Sequence, residues 1–225
     1  MSKLFLVPTP VGNLEDITFR AIKVLKDCDV ILAEDTRHTK KLLDHYSINN
    51  RLQPYHKFNE HKVVSQLVER IETGETMALV TDAGTPGISD PGFLLVRSCI
   101  GKGITVECLP GPTAFVPALV ASGIPCERFI FEGFLPQKKG RQKRLTELST
   151  ENRTIVFYES PHRLEKSLYQ LAETFGKGRY AAVCRELTKI HEEIRRDTLE
   201  GLENYYHDKQ VKGEIVIIIA PPDKK

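Results

Sequence analysis

The sequence predicts an α/β fold in which short strands alternate with amphipathic helices. Seven short apolar runs rich in β-branched residues recur along the chain. Their apolar residues are nearly continuous rather than alternating, as expected of strands buried on both faces. Between the runs, apolar residues recur at helical spacing, as at Leu164, Leu168, Leu171 and Phe175. Strands that alternate with helices indicate layered structure with much parallel pairing.

The individual elements follow from the same patterns. Strands are predicted at residues 3–7, 29–33, 76–80, 104–109, 154–158, 180–184 and 214–219. Residues 63–71 and 163–175 have helical spacing, and Ser160 and Pro161 suit the cap and the first position of the second of these helices.

The composition changes between residues 110 and 150, which indicates a domain boundary. A strand-like segment at 128–134 is followed by a polar run at 135–144 that carries five positive charges and no negative charge. We interpret this run as a loop. The prediction is one α/β domain over residues 1–112 and a second over residues 113–225.

Composition and cysteine usage exclude several classes of protein. With 40% hydrophobic and 28% charged residues, the 225-residue chain has an ordinary globular composition. Lys and Arg total 32 against 30 Asp and Glu, so a nucleic-acid role needs a local basic patch. The five cysteines form no C-x-x-C pair, so no metal site is expected, and the four that lie in or beside apolar runs are expected to be reduced core thiols. No signal segment or run of ~20 apolar residues is present, so we predict a cytoplasmic protein with no membrane partner.

Distinctive loops follow five of the predicted strands. The segments are PTPVGN, EDTRHT, TDAGTPGISDPG, PGPTA and ESPHR, whereas the opposite strand ends have plain connections such as GKGI. Ligands of open α/β sheets bind outside the carboxyl ends of the strands. The difference between the loops at the two ends of the strands therefore predicts that the functional site lies at the edge formed by the carboxyl ends.

The usual nucleotide-binding motifs are absent from these loops. No G-x-G-x-x-G follows the first strand, and no G-x-x-x-x-G-K-[ST] occurs in the chain. Gly84, Gly87 and Gly92 allow the backbone to approach a ligand closely, and Asp90 with Pro91 can cap the next helix. These features suit a ligand without phosphates.

Seven blocks, in order, resemble one known family. They are PTPVGNLEDIT, AEDTRHT, DAGTPGISDPG, PGPTA, FYESPHR, CRELTKIHEE and GEIVIII, from residue 3 to about residue 219. Together they resemble the RsmI family of ribosomal RNA small-subunit 2′-O-methyltransferases, in the tetrapyrrole-methylase superfamily. The resemblance implies a class III methyltransferase fold of two α/β domains, each with a mainly parallel or mixed sheet, an S-adenosylmethionine cleft between them, and a homodimer.

The resemblance also implies which residues line the cofactor. In the first half these are Pro8, Thr9, Gly84, Thr85, Ile88, Thr113 and Ala114; in the second half they are Tyr158, Leu187, Gly213 and Glu214. Many family members carry a further C-terminal segment after GEIVIII. This sequence ends at APPDKK, so we expect it to hold the ribosomal particle by other means.

Methyl transfer to a ribose hydroxyl needs an aligned acceptor and a group that lowers the hydroxyl pKa or takes its proton. The candidates are Asp35, Arg37 and Lys189, with His191 as an alternative to Lys189. For Asp35 and the neighbouring Glu34, a helix N-terminal cap with a surface charge is the competing interpretation. For Arg37 and Lys189 it is a surface ion pair.

The basic run is a candidate RNA contact. Its cations are Lys138, Lys139, Arg141, Lys143 and Arg144, without an interleaved aromatic residue, so it indicates phosphate attraction rather than base stacking. A solvated loop is the alternative. Residues 55–61, YHKFNEH, are interpreted as a polar connection rather than an RNA-facing loop.

Three functions remain open at this point. The resemblance implies 2′-O-methylation of a cytidine in the decoding region of 16S ribosomal RNA, with the small ribosomal subunit and not DNA as partner. The first alternative is methylation of a corrin or porphyrin precursor. The second is a non-catalytic RNA-binding module that has the same fold.

Overall fold

The computed structural model describes residues 3–222, and the chain divides into two units between Thr113 and Ala114. The first unit contains a five-stranded sheet in which every pairing is parallel. Its strands are β1 (Lys3–Leu6), β2 (Val30–Ala33), β3 (Leu52–Pro54), β4 (Met77–Leu79) and β5 (Thr105–Cys108), in the order β3-β2-β4-β1-β5.

Helices cover both faces of this sheet. They are α1 (Phe19–Asp27), α2 (Thr36–His45), α3 (Glu60–Glu72) and α4 (Phe93–Gly101). One core cluster joins Leu25 and Leu43 to Ile31, and the other joins Leu67 and Leu95 to Leu32. Because all five strands are parallel, their carboxyl ends lie at one edge, and the loops that follow them meet there.

The second unit contains a mixed five-stranded sheet in the order β6-β7-β10-β8-β9. Only β6 and β7 pair in parallel, and the other three pairings are antiparallel. Its strands are β6 (Phe129–Phe134), β7 (Thr154–Glu159), β8 (Tyr180–Arg185), β9 (Glu193–Thr198) and β10 (Ile215–Ile219).

Four helices belong to the second unit: α5 (Phe115–Ala121), α6 (Arg141–Ser149), α7 (Leu164–Phe175) and α8 (Leu199–Tyr206). One core cluster joins Phe157 to Leu145 of α6, Leu168 of α7 and Leu202 of α8. A second cluster joins Val156 to Leu119 of α5. Because β10 is antiparallel to β7 and β8, its amino end lies beside their carboxyl ends.

The predicted α/β class is confirmed, and each of the eight predicted strand segments overlaps an observed strand. Burial on both faces was a wrong prediction for residues 104–109, because β5 is an edge strand and its Thr105 and Cys108 are exposed. Strands β3 and β9 were not predicted. The first has only three residues, and the second, EIRRDT, is mostly polar.

Two capping predictions were wrong in detail. Ser160 precedes a 3₁₀ turn over Pro161–Arg163, and its side chain makes no capping hydrogen bond. Helix α4 begins at Phe93 with Gly92 as its N-cap, so Asp90 and Pro91 lie before the cap position. Within residues 3–222, no helix combines the length and the apolar character needed to cross a membrane.

Candidate functional site

At the carboxyl edge of the first sheet, hydrogen bonds join the loops that follow β1 and β4. The backbones of Thr9 and Gly84 exchange two hydrogen bonds of 2.9 Å. The Thr9 hydroxyl also donates to the carbonyl oxygen of Thr81 at 2.9 Å. Thr9 is buried, so its hydroxyl holds the two loops together.

The loop after β4 is joined to two further loops. Thr81 Oγ1 donates to Glu34 Oε2 at 3.1 Å, and the Asp35 amide donates to Asp82 Oδ1 at 3.1 Å. Thr85 Oγ1 donates to the carbonyl oxygen of Pro112 at 3.0 Å. The loops after β1, β2, β4 and β5 therefore form one hydrogen-bonded surface, which we call the first edge.

Backbone conformation at the first edge requires glycine. Gly84 has φ +82° and Gly87 has φ +83°, a region that L side chains rarely adopt. At Gly111 the constraint is space, because a Cβ there would lie 2.8 Å from the Cβ of Pro8. Glycine thus shapes the loop after β4 and the close packing of the loop after β5 on Pro8.

One polar group at the first edge lacks a partner. Thr113 Oγ1 is buried and has no hydrogen-bond acceptor or donor within residues 3–222. Buried polar groups are nearly always hydrogen-bonded. An unpaired hydroxyl beside the Gly84 turn, where a Cβ on Gly84 would lie 3.9 Å from Thr113 Cα, therefore indicates a position that a ligand group can complete.

Asp35 and Arg37 form an N-terminal cap and an ion pair at the start of α2. Asp35 Oδ1 accepts from the Arg37 amide at 2.8 Å, and Oδ2 accepts from Arg37 Nη2 at 2.8 Å. The hydrogen bonds and charge of Arg37 hold the pKa of the Asp35 carboxyl far below its usual range. The helix cap expected for Asp35 and the ion pair expected for Arg37 are therefore both present. A carboxylate with so low a pKa is a poor proton acceptor.

In the second unit, three chain segments meet at one end of the sheet, which we call the second edge. Ile215 of β10 pairs with Glu159 of β7 and with Arg185 of β8. The register places Tyr158, the turn that begins at Glu186, and the Gly213–Glu214 segment side by side. Predicted cofactor residues Tyr158, Leu187, Gly213 and Glu214 therefore gather at this edge.

Lys189 binds two carboxylates at the second edge. Its Nζ donates to Glu186 Oε1 at 2.8 Å and to Glu214 Oε2 at 3.2 Å. Burial lowers the pKa of Lys189, but the hydrogen bond to Glu186 and the charge of Glu214 outweigh it, and the pKa lies above its ordinary value. Lys189 is therefore a cation and a hydrogen-bond donor at neutral pH. His191, the alternative, is exposed.

The turn that carries Lys189 has an uncommon backbone. Glu186 has φ +51° and Thr188 has φ +66°, both in the left-handed region. Such conformations persist where surrounding contacts enforce them, and they cluster at functional sites. Glu186 was missed in the sequence because no local pattern marks it.

Apolar residues complete the second edge. Ala114 and Tyr158 pack against the cluster that contains buried Leu187. The Tyr158 ring lies 5.1 Å from Phe131, which stacks on Phe115 at 4.5 Å between ring centroids. The predicted residues Ala114, Tyr158 and Leu187 thus share one apolar and aromatic surface.

The basic run is not a uniform loop. Helix α6 begins at Arg141, and the Arg141 side chain is only 7% exposed. Its Nη2 donates to Ser167 Oγ at 2.7 Å and to Glu159 Oε2 at 3.3 Å. The prediction that Arg141 contacts RNA is therefore wrong, because the guanidinium is satisfied inside the unit.

The other cations of the run divide into two groups. Arg144 forms ion pairs with Glu132 of β6 and with Glu147 of its own helix. Lys138, Lys139 and Lys143 are exposed, and within residues 3–222 none of them forms an ion pair. Residues 55–61 are a connection into α3, where Asn59 Oδ1 accepts from the His56 amide at 2.8 Å.

Comparison with known proteins gives a family model and close relatives. The model of the tetrapyrrole (corrin/porphyrin) methylases matches residues 3–203. The ribosomal RNA small subunit methyltransferase I of Halalkalibacterium halodurans is 50% identical over 99% of this chain and 77% of that protein. The protein of the same name from Thermotoga maritima is 44% identical over 98% of this chain and 99% of that protein.

Solved structures with the same fold include two methyltransferases of the tetrapyrrole group. Cobalt precorrin-4 methyltransferase has a TM-score of 0.73 at 19% identity, covering 97% of this chain and 95% of that one. Uroporphyrin-III C-methyl transferase from Thermus thermophilus, complexed with S-adenyl homocysteine, has a TM-score of 0.67 at 19% identity, covering 97% of each chain. At this identity the likeness concerns the fold.

Proposed function

The chain belongs to the ribosomal RNA small subunit methyltransferase I family of tetrapyrrole methylases, and we propose on this premise that it methylates the 2′-hydroxyl of a cytidine in the decoding region of 16S ribosomal RNA. The observation that carries the proposal is identity of 44–50% to such proteins over 98–99% of the chain. We further propose that the methyl donor is S-adenosylmethionine and that the enzyme is a homodimer.

The residues of the first and second edges fit such a donor. The first edge offers the unpaired hydroxyl of Thr113 and the Gly84 backbone, and the second offers the apolar surface around Tyr158 and Leu187. We propose that the donor is held by Pro8, Thr9, Gly84, Thr85, Ile88 and Thr113 of the first unit and by Ala114, Tyr158, Leu187, Gly213 and Glu214 of the second. When bound, S-adenosylmethionine supplies a methyl group activated by its positively charged sulfur.

On the acceptor side, Lys189 acts as a fixed cation. Its raised pKa makes it unsuitable as a proton acceptor, whereas a charged ammonium group stabilises negative charge that develops on a ribose oxygen. Glu186 and Glu214 fix the position of its Nζ. Asp35 and Arg37 begin α2 at the first edge, and we propose that they orient the acceptor strand. Lys138, Lys139 and Lys143 would attract RNA phosphates.

Methylation of purified small ribosomal subunits tests this function. The donor carries a labelled methyl group, and the modified nucleotide is located by mapping. A label on the ribose of one decoding-region cytidine supports the proposal, and a label on a base contradicts it. A variant with Lys189→Ala in the same reaction serves as the control for contaminating activity.

The two alternative functions give different results. A corrin or porphyrin methylase would label a free tetrapyrrole in the absence of any ribosomal particle. A non-catalytic RNA-binding module would show no heat of binding when titrated with S-adenosylmethionine. Either result in place of ribose labelling would refute the proposed function.

A further inference from the structure

A bulge at the end of β6 turns Phe134 towards solvent. Phe131 pairs with Val156 and Phe134 pairs with Tyr158, so three steps along β6 match two steps along β7. Gly133, at φ +60°, supplies the conformation that the extra residue needs. As a result Phe131 and Phe134 fall on the same face, although residues three apart in a regular strand face opposite sides.

Phe134 is both exposed and next to the second edge. It is 54% exposed, and its ring centroid lies 5.5 Å from that of Tyr158. An aromatic ring that is half accessible at the end of a strand offers a flat apolar surface to a ligand. Its contact with Tyr158 places this surface beside the proposed donor residues of the same unit.

A groove extends from Phe134 towards α6. We call it the Phe134 groove, and its lining includes Phe134, Pro136, Lys143, Arg144, Glu132 and Glu147. Arg144 donates from Nε to Glu132 Oε2 at 2.9 Å. This ion pair joins α6 to β6, the two elements that supply most of the groove lining.

The rim of the Phe134 groove is positively charged. Lys138 and Lys139 lie in the turn that leads to Gly140, and Lys143 is on the first turn of α6. The lining itself carries Lys143 and Arg144 against Glu132 and Glu147, so the excess positive charge comes from the adjoining Lys138 and Lys139. A polyanion that also carries flat rings complements this combination of an accessible aromatic ring and lysines without ion pairs.

We infer that the Phe134 groove binds one unstacked nucleotide of single-stranded RNA, with its base against the Phe134 ring and its phosphates near Lys138, Lys139 and Lys143. This inference rests on the proposed function, and it adds base stacking to a segment that the sequence indicated only as a phosphate contact. A protein partner is the competing occupant, but it would not require the lysines to be unpaired.

Binding of a labelled RNA tests the inference without any methyl transfer. The probe is a fluorescein-labelled oligocytidine of about ten nucleotides, within the site sizes of roughly 4–16 nucleotides typical of single-strand grooves. We expect Phe134→Ala to weaken binding about tenfold at constant salt, and Phe134→Trp to retain it. Phe129→Ala is the matched control, because Phe129 is on the same strand and 38% exposed but does not line the groove.

The salt dependence separates stacking from charge. Lys143→Ala should reduce the slope of log K against log salt by about 0.7, whereas Phe134→Ala should weaken binding without changing the slope. Thermal denaturation of each variant checks that the unit is folded. The inference is overturned if Phe134→Ala binds the RNA within twofold of the wild-type affinity, or if it loses only as much affinity as Phe129→Ala. So does a change of oligomeric state without a change in RNA affinity.

The binding test and the methylation test can fail separately. Wild-type protein that binds the oligocytidine through Phe134 but labels no ribose would refute the methylation proposal alone. Wild-type protein that labels the ribose while Phe134→Ala binds and reacts normally would refute the nucleotide groove alone.

Discussion

Gly213 leaves open the space that the Glu186 carboxylate occupies, because a Cβ on residue 213 would overlap the Glu186 side chain. Glu186 in turn accepts hydrogen bonds from the amide of Glu214 and from Lys189 Nζ. One glycine therefore allows three polar residues of the second edge to be in contact.

We predict that Gly213→Ala displaces Glu186 and abolishes most turnover. Gly176→Ala is the matched control, since Gly176 has φ +96° against +92° for Gly213, but nothing lies within 4 Å of its missing Cβ. Both variants should lose about 1–3 kcal/mol of unfolding free energy from backbone strain. Only Gly213→Ala should lose activity on small subunits, and equal activity of the two variants would contradict the role given to this contact.

Thr113→Val tests the unpaired hydroxyl of the first edge. Because the buried hydroxyl has no partner, its removal should leave the melting temperature unchanged or raise it. Affinity for S-adenosylmethionine should fall about fivefold to tenfold, as expected for the loss of one hydrogen bond. Calorimetric titration measures this affinity. Thr85→Val is the comparison, because its hydroxyl donates to Pro112, and it should cost about 1 kcal/mol of stability. Unchanged cofactor affinity in Thr113→Val would remove Thr113 from the site.

Lys189→Ala should lower turnover about 100-fold, as expected for loss of a charge that stabilises a developing anion. Lys189→Arg should recover part of the rate because it retains the charge. The pKa of Lys189 is raised above its ordinary value, so the wild-type rate should show no fall from lysine deprotonation up to about pH 9. If instead the wild-type rate rises as a group loses its proton, and this step is missing from the pH profile of Lys189→Ala, Lys189 is the proton acceptor.

Arg141→Ala should destabilise the second unit rather than weaken RNA binding in particular. The substitution leaves Glu159, whose side chain is fully buried, without one of its two guanidinium partners. Loss of a buried ion partner costs roughly 3 kcal/mol. Lys138→Ala, a few residues earlier in the same basic run, should not change the melting temperature. Equal melting temperatures for the two variants would contradict the buried network.

His207 should make stability depend on pH. A hydrogen bond to Glu165, followed by the charge of Asp208, raises the pKa of His207 above its ordinary value. The folded state therefore binds the proton more tightly than the unfolded chain. The stabilisation is complete below the unfolded pKa of about 6.5 and is lost as pH rises through the higher folded pKa. Melting temperatures of the wild type and of His207→Gln should differ most at acidic pH and converge at alkaline pH.

Local patterns were sufficient for most strands and for the first edge. Val30–Ala33 and Ile215–Ile219 are continuous apolar runs, and such runs are stable only when both faces are covered. The loops after β1, β4 and β5 carry glycine and proline, and these residues mark turns because proline fixes φ and glycine admits positive φ. The loop residues near Gly84 could therefore be placed at one edge from the order of the strands alone.

Other features depend on residues that are distant in the chain. Arg141 and Lys143 are adjacent cations in the same basic run, yet one is buried and the other exposed because only Arg141 reaches Glu159 and Ser167. The polar strand β9 exists because β8 pairs with it along its whole length. Its own residues, EIRRDT, carry no apolar pattern that marks a strand.

The sequence by itself determined the fold class, the positions of eight of the ten strands and the family, because buried strands and glycine turns are specified by residues close together in the chain. The tertiary structure alone decided which charges are available to a ligand. The pKa of Lys189 and the burial of Arg141 depend on the groups that folding brings near them. Coulomb and desolvation energies depend on distance in space rather than on separation along the chain.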